Sequence, residues 1–148
     1  MPSSGKNLSS RVSEPLFLVD ESLNRNVAKA LGLVEYQILA VSDAFKGRSG
    51  VKDSEIITWC RDNDAVWIHA DDKARKEHKK EITAARIRSL WVYRPGGMMS
   101  SREQLRVLSY KLPDLTDQLA KYPRFLHYKV SAHGEASRQR IKLERIAL

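Results

Sequence analysis

The sequence predicts an α/β domain in which a mostly parallel sheet of about five strands lies between two layers of helices. Short apolar runs alternate along the chain with longer segments of helical periodicity, a pattern typical of βαβ units. Right-handed crossovers between parallel strands then give a three-layer α/β/α sandwich. The length of 148 residues corresponds to about one domain, and the composition, 42% hydrophobic and 30% charged, is that of a globular protein.

The predicted elements follow from apolar spacing. Compact apolar runs of about five residues predict strands, and apolar positions three and four apart predict helices. In residues 24–33 this spacing brings Val27, Ala28 and Leu31 onto one face, and Gly32 is the expected C-cap. The predicted strands are residues 16–20, 37–41, 65–69, 89–93 and 125–130, and the first three predicted helices are residues 24–33, 53–63 and 72–87.

The last predicted helix begins at a capping box and meets a proline. Ser100 and Glu103 have the spacing at which each side chain caps the backbone of the other, so a helix begins there. Pro113 has no N–H and its ring clashes with the preceding turn, so we expect it to break or bend this helix. Residues 1–14 are predicted to be a flexible tail, residues 15–131 the folded domain, and residues 132–148 a polar, basic tail.

Composition restricts the setting. Cys60 is the only cysteine, so we expect no internal disulfide and no cysteine-based zinc site, which favours a reducing, cytoplasmic environment. No apolar run approaches the roughly 18 residues that a membrane helix needs. Residues 1–15 lack the apolar stretch of a signal peptide. We therefore expect a cytoplasmic protein with no membrane partner.

The net charge of +8 is unevenly distributed. Residues 1–72 contain 8 Lys and Arg against 11 Asp and Glu, whereas residues 73–148 contain 18 against 7. A basic surface attracts polyanions, of which nucleic acid is the commonest, although solubility alone explains many basic domains. The segregation of acids from bases indicates two functional regions on one domain.

Carboxylates follow the predicted strands or open the helices after them. The carboxyl ends of parallel strands share one edge of the sheet, where ligands of open α/β folds bind. These acids can therefore converge although they are distant in sequence. They are Asp20, Glu21, Asp43, Asp53, Glu55, Asp71 and Asp72.

Helix capping explains some of these acids. Asp is a favoured N-cap, and an acid near a helix N-terminus gains roughly 0.3–1 kcal/mol from the helix dipole. Taken singly, Asp53 and Asp72 are better explained as caps than as ligands. Capping does not explain Asp20, which closes a strand, or the doubled acids at two strand ends. Carboxylates gathered within about 4–6 Å of one another raise one another's pKa unless a cation neutralises them. A site made of oxygen ligands favours Mg²⁺ or Mn²⁺.

Basic residues surround these acids in the sequence. A carboxylate-held metal beside a basic surface suggests phosphodiester hydrolysis. The basic row after Asp72 has a bland explanation as a solvated helix face, and a functional one as a phosphate-binding surface. The candidate nucleic-acid-binding residues are Arg48, Lys52, Lys73, Arg75, Lys76, Lys79 and Lys80.

Three stretches resemble one family of nucleases. "FLVDESLNRNVAKAL", "VSDAFKGRSGVKDSEIITWCRDN" and "WIHADDKARKEH" are similar to PIN-like domains, including VapC-type toxin ribonucleases of toxin–antitoxin pairs. The resemblance covers residues 16 to about 78, roughly half of the chain, through short motifs in the family's order and spacing.

This resemblance implies a PIN-like fold and cleavage of RNA with Mg²⁺ or Mn²⁺ held by acids. The metal-site acids carried over are Asp20, Asp53 and Asp71, with Asp72 and Glu21 assisting or orienting water. A protein antitoxin and a homodimer are the partners that it implies besides RNA. Many relatives have Asp-x-Asp after the third strand, but Lys73 occupies the second acidic position here. Either Asp72 replaces that acid or the site has one acid fewer.

Two other functions are compatible with the pattern. A receiver-like signalling domain also gathers acids at parallel strand ends around Mg²⁺. It needs a lysine at the end of a late strand, a position that Lys129 matches only loosely, and a net charge of +8 is unusual for such domains. A catalytically silent RNA- or protein-binding module of the same fold is the other alternative. Trp59, Trp67 and Trp91 lie in apolar patterns and are predicted core residues.

Overall fold

The computed structural model describes residues 14–95, 97–122, 124–133 and 141–148. The predicted N-terminal tail therefore lies outside the described residues, apart from Glu14. The strands are β1 Leu16–Val19, β2 Ile38–Ala40, β3 Ala65–His69, β4 Arg88–Tyr93, β5 His127–Ala132 and β6 Ile141–Ile146. The helices are α1 Arg25–Leu33, α2 Val41–Ala44, α3 Asp53–Asn63, α4 Asp72–Glu77, α5 Lys79–Ala85 and α6 Ser101–Lys121.

The six strands form one sheet in the order β2-β1-β3-β4-β5-β6. The first five run parallel, and β6 is antiparallel to β5. The predicted α/β class with a mostly parallel sheet is confirmed. The expected five strands are one too few, because β6 lies inside the predicted basic tail. Charged residues alternate in β6 with Ile141 and Leu143, which pack against the core, a pattern common in edge strands.

Helices cover both faces of the sheet. On the first face, α1 and α6 contribute Val27, Leu31, Leu108 and Leu112 to a buried cluster that includes Phe17. On the second face, α3 and α5 bury their apolar residues against the alternate strand positions: Leu18, Trp67, Ile56, Cys60 and Ile82. Successive strand residues point to opposite faces, so each strand contributes to both cores.

The β4–α6–β5 connection has the opposite hand from the two crossovers before it. The chain crosses from β2 to β3 and from β3 to β4 in one direction, through α3 and α5 on the second face. It moves from β4 to β5 in the same direction, but α6 packs with α1 on the first face. The expectation of right-handed crossovers throughout is therefore wrong, since right-handedness cannot hold for both arrangements. As a consequence, α6 does not cover the second face of β4 and β5.

The predicted helix over residues 72–87 is two helices. They are separated at His78, whose backbone (φ −106°, ψ 25°) leaves the helical region. The short helix α2 was not predicted, and Gly32 lies inside α1 while Val34 occupies the C-cap. Within the described ranges, no helix combines the length and apolar character that crossing a membrane requires.

Pro113 does not end α6. The helix runs unbroken from Ser101 to Lys121, and Pro113 is exposed. Leu112 and Leu115 on either side are fully buried in the first-face core. Burial of both halves against one surface therefore outweighs the lost backbone hydrogen bond. At the start of this helix, Ser100 accepts a hydrogen bond from the backbone N–H of Glu103, which confirms one half of the predicted capping box; the carboxylate of Glu103 instead accepts from Arg94.

Candidate functional site

The chain reverses its direction across the sheet at β1. From β1 it passes to β2 on one side, and it then crosses back to β3 on the other side. β1 and β3 are therefore parallel neighbours, with Val19 opposite Ile68. Ligands of open α/β sheets bind beyond the carboxyl ends of the strands at such a point. Asp20 directly follows β1 and Asp71 follows β3 by two residues, so both lie at this edge.

Hydrogen bonds hold Asp20 at the edge. The backbone N–H of Ser22 donates to Oδ2 of Asp20 (3.1 Å), and Nε1 of Trp67 donates to Oδ1 at 3.4 Å. Ser22 Oγ in turn accepts from the backbone N–H of Ala70 at 2.9 Å. The segments after β1 and β3 are thus joined to each other, which positions Asp20 beside Asp71.

Asp53 shares this edge with both acids. It is the first residue of α3, and its pKa is raised from 3.8 by burial and by the negative charges of Asp20, Asp71 and Glu77. His78 lowers the pKa in part. Only nearby charges shift the pKa of a carboxylate in this way. The structure therefore places three predicted metal-site acids, from three separate connections, at one edge of the sheet, where Asp20 and Asp71 act on the pKa of Asp53. We name Asp20, Asp53, Asp71 and Glu77 the acid rim.

Glu77 is the acid that sequence reasoning missed. It lies one helical turn after Lys73, the position at which the family resemblance leads one to expect an acid. Nζ of Lys73 is 3.8 Å from Oε1 of Glu77, so these two side chains share one face of α4. The available signal was this i,i+4 spacing.

His78 is a second residue that the sequence reasoning left without a role. Its Nε2 atom lies 3.5 Å from Oδ2 of Asp53 and its Nδ1 atom 2.9 Å from Oε1 of Glu81. The break between α4 and α5 places this histidine between the two carboxylates. No spacing rule would reveal this contact, because Asp53 is 25 positions earlier in the chain.

Asp72 does not replace the acid missing at position 73. Both of its oxygens accept from Arg75, Oδ1 from Nε at 2.5 Å and Oδ2 from Nη2 at 3.0 Å. Both side chains are buried, and Nη1 of Arg75 also donates to the backbone oxygen of Ala147 at 2.7 Å. Asp72 and Arg75 therefore form a structural ion pair. The assignment of Asp72 to water orientation and that of Arg75 to nucleic-acid binding both conflict with this geometry.

The expected caps lie one position earlier than predicted. Lys52 is the N-cap residue of α3, and Asp71 is the N-cap of α4, where its Oδ1 accepts from the backbone N–H of Lys73 at 3.0 Å. Glu55 accepts from the backbone N–H of Lys52 and from Arg48 (2.9 and 2.5 Å), and these bonds lower its pKa. Glu55 and Arg48 thus stabilise the start of α3 together.

The remaining predicted site residues are exposed. Glu21 follows Asp20 with its side chain toward solvent, and Asp43 is exposed within α2. The predicted phosphate-binding lysines are also exposed, in contrast to Arg75. They are Lys52, Lys73, Lys76, Lys79 and Lys80.

The aromatic predictions have different outcomes. Trp67 is fully buried, as expected, whereas Trp59 and Trp91 are only partly buried. His69 is buried at the end of β3, as a structural histidine would be, and burial lowers its pKa to about 4. His69 is therefore a neutral imidazole at physiological pH.

The acid rim has the type of ligand atom that a hard cation prefers, but its side chains are too far apart to share one. Its donors are carboxylate oxygens, which Mg²⁺ and Mn²⁺ prefer. The raised pKa of Asp53 reflects repulsion that a cation would relieve. Among the residues described, however, no three His, Cys, Asp or Glu side chains are close enough together to hold one metal ion. Ligation would require these side chains to move closer.

Comparisons with protein families, with curated proteins and with solved structures found nothing that matches this chain.

Proposed function

We propose that this chain is a divalent-metal-dependent endoribonuclease with a PIN-like fold, and the toxin of a toxin–antitoxin pair. The observation that carries the proposal is that Asp20, Asp53 and Asp71 lie at one edge of the sheet, at its reversal point, and that Asp20 and Asp71 act on the pKa of Asp53. These acids come from three separate connections. Helix capping explains Asp71 but not the repulsion that Asp20 and Asp71 exert on Asp53, which raises the pKa of Asp53.

Asp20, Asp53 and Asp71 would hold the metal ion, with Glu77 supplying the fourth carboxylate. A divalent cation held by these acids would supply the activation of water, so that phosphodiester hydrolysis would need no separate general base among the side chains. The hydrogen bonds from Ser22 and Trp67 would keep Asp20 oriented for this role. Exposed Glu21 would orient water from the edge of the site.

The exposed lysines next to the acid rim would bind the phosphates of RNA. Lys73 and Lys76 lie on α4 directly after Asp71, and Lys79 and Lys80 begin α5. Charges of opposite sign thus adjoin within one short stretch of chain. Lysines bind phosphate through charge with little base preference. This surface would therefore bind the RNA backbone without selecting a base sequence.

The PIN-like assignment rests on where the quoted stretches lie in the fold. The three similar stretches end β1, open α3 and end β3, which are the elements that carry the acid rim. The toxin role, a protein antitoxin and a homodimer follow from that resemblance. A cytoplasmic location follows from the single cysteine and belongs to the same proposal.

A receiver-like phosphoacceptor is the second candidate, because the parallel strands have the order 2-1-3-4-5 that receivers share. Its required lysine is the weak point. Lys129 lies within β5 and not at its carboxyl end. Its Nζ atom lies over the rings of Trp91 and Tyr93, 5.0 and 4.6 Å from their centroids.

Cleavage assays with matched variants test the nuclease proposal. Structured and unstructured RNA are incubated with the protein in Mg²⁺, in Mn²⁺ and in EDTA. We expect Asp20→Asn and Asp71→Asn to reduce cleavage by more than the roughly 10–100-fold that loss of an outer-shell group costs. Asp62→Asn is the matched control, because Asp62 is exposed near the end of α3 and pairs with Arg61.

Three outcomes separate the candidate functions. Cleavage that persists in EDTA, or in both rim variants, would rule out the metal-dependent nuclease. Phosphorylation of Asp71 by a small phosphodonor, without RNA cleavage, would favour the receiver. RNA binding without turnover in any metal would favour the silent binding module.

A further inference from the structure

The second face of β4, β5 and β6 presents two rows of side chains next to the acid rim. Strand register places Trp91 beside His69 and Lys129, and Lys129 beside Glu144. One step toward the carboxyl end of β4, Tyr93 lies beside Ser131, and Ser131 beside Lys142. Because α6 packs on the first face, it does not cover these rows: His69 and Ser131 are buried, Trp91, Tyr93 and Lys129 are partly exposed, and Lys142 and Glu144 are exposed.

Two aromatic rings and two cations meet on this surface. The ring centroids of Trp91 and Tyr93 are 4.8 Å apart, with an angle of 52° between the planes, and both side chains are partly exposed. Nζ of Lys129 lies about 5 Å from both centroids. The guanidinium of Arg75 approaches Trp91 at 6.0 Å. Cation–π contacts fix the rings and leave part of each aromatic surface accessible.

One cavity borders both rings and Asp71 of the acid rim. It has a volume of about 420 Å³, and its lining also includes Met98 and Met99 and, from the first face, Leu23 and Val92. A single nucleobase fits a space of this size. The lining combines a rim carboxylate with aromatic and apolar surface, which is typical of ligand sites.

We propose that Trp91, Tyr93 and Lys129 form a subsite that stacks unpaired bases of a single-stranded nucleic acid and delivers the adjoining phosphate to the acid rim. The inference rests on the proposed nuclease function for its biological meaning, but the binding itself does not require catalysis.

The chemistry of this surface selects an unpaired strand. Bases stack on aromatic side chains only when they are free of their own duplex stack. The cation above the rings and the excess of Lys and Arg over residues 73–148 complement a polyanion. A second protein would be expected to need a larger, continuous apolar patch, whereas Lys129, Lys142 and Glu144 interrupt this one.

Binding in EDTA separates the subsite from catalysis. Fluorescence anisotropy is measured with a labelled ten-nucleotide single-stranded RNA, its DNA equivalent and the matching RNA duplex. We expect Trp91→Leu and Tyr93→Leu each to weaken single-strand binding roughly fivefold or more, as loss of a stacked base does. Trp91→Phe should retain most of the affinity, because a ring remains. Thermal unfolding verifies that each variant is folded.

Tyr110→Leu is the matched control. Tyr110 is also an exposed tyrosine with a lysine over its ring, Nζ of Lys111 at 5.1 Å, but it belongs to α6 on the first face. Its substitution should leave the affinity unchanged.

The outcomes for the subsite and for the nuclease are distinguishable. Equal affinity of folded Trp91→Leu, Tyr93→Leu and unsubstituted protein for the single strand overturns the subsite, whether or not RNA is cleaved. Equal or tighter binding of the duplex overturns it as well. Ring-dependent single-strand binding without cleavage in Mg²⁺ supports the subsite and contradicts the nuclease. Comparable binding of RNA and DNA strands supports base stacking without sugar recognition.

Discussion

The imidazole of His78 links Asp53 to Glu81, with Nε2 3.5 Å from Oδ2 of Asp53 and Nδ1 2.9 Å from Oε1 of Glu81. The interruption between α4 and α5 creates this contact, because His78 is the residue at which one helix ends and the next begins. A positive charge on His78 lowers the pKa of Asp53, against burial and the repulsion of the other acids.

Removing this histidine should raise the pKa of Asp53. In His78→Gln the carboxylate loses its nearby cation but keeps the repulsion from Asp20, Asp71 and Glu77. Carbon-13 NMR titration of the Asp53 carboxyl in metal-free buffer measures the midpoint, which we expect to increase. Glu81→Gln is the control, because Glu81 contacts the same imidazole but is not among the charges that shift the pKa of Asp53. A lower midpoint in His78→Gln would contradict the contact.

Asp53→Asn should stabilise the protein more at pH 7 than at pH 3. The pKa of Asp53 is higher in the folded protein than its ordinary value of 3.8. The folded state therefore holds the proton more tightly, and this contribution to stability is lost as pH rises through the folded pKa. Asparagine remains neutral throughout. Solvent screening limits the gain to roughly 0.5–1 kcal/mol, measured as a difference in Tm without metal; an equal difference at both pH values would count against the raised pKa.

Asp72→Ala should destabilise the fold strongly. The substitution leaves the guanidinium of Arg75 buried without its carboxylate, which typically costs about 3–5 kcal/mol. Urea unfolding measures the change. The double variant Asp72→Leu with Arg75→Met should recover much of the loss, since no buried charge remains. Lys76→Ala, which removes only an exposed lysine 3.8 Å from Asp72, should cost less than about 1 kcal/mol. A mild effect of Asp72→Ala would show that the pair is not structural.

Glu77→Gln should weaken Mg²⁺ binding if Glu77 supplies the acid absent at position 73. The neutral amide keeps the shape of the side chain but removes one rim charge. Isothermal titration with Mg²⁺ should show an affinity loss greater than the roughly 10–100-fold that loss of an outer-shell group costs, because Glu77 would be a ligand. Glu81→Gln, an exposed glutamate on the next helix, should bind Mg²⁺ normally. Matching affinities in the two variants would remove Glu77 from the site.

Cys60 should be unreactive in the folded protein. The side chain is fully buried in the second-face core, and burial raises the pKa of the thiol to about 12. Only the thiolate reacts with a disulfide reagent, so we expect labelling by DTNB at pH 8 to require unfolding. Adding denaturant should release one thiol per chain. Rapid stoichiometric labelling of native protein would contradict this burial.

The sequence could predict the elements whose apolar pattern is local. The predicted bounds of residues 53–63 and 65–69 are those of α3 and β3, because the first segment has helical apolar spacing and the second is a compact apolar run, buried throughout. The edge strand β6 was missed, since half of its side chains are charged and its stability comes from pairing with β5. Of the two outcomes predicted for Pro113, a break and a bend, the break does not occur, because burial of Leu112 and Leu115 is a tertiary effect.

The candidate site divides in the same way. The sequence by itself determined that Asp20, Asp53 and Asp71 end or begin elements on one edge of a parallel sheet, because strand direction and chain order leave few topologies. Only the tertiary structure decided which neighbouring side chains join them. In the folded chain Asp72 pairs with Arg75, and Glu77 and His78 lie near Asp53. Trp91 and Tyr93 remain partly exposed. These outcomes depend on helix breaks and on the face to which α6 packs, and such long-range contacts have no local pattern.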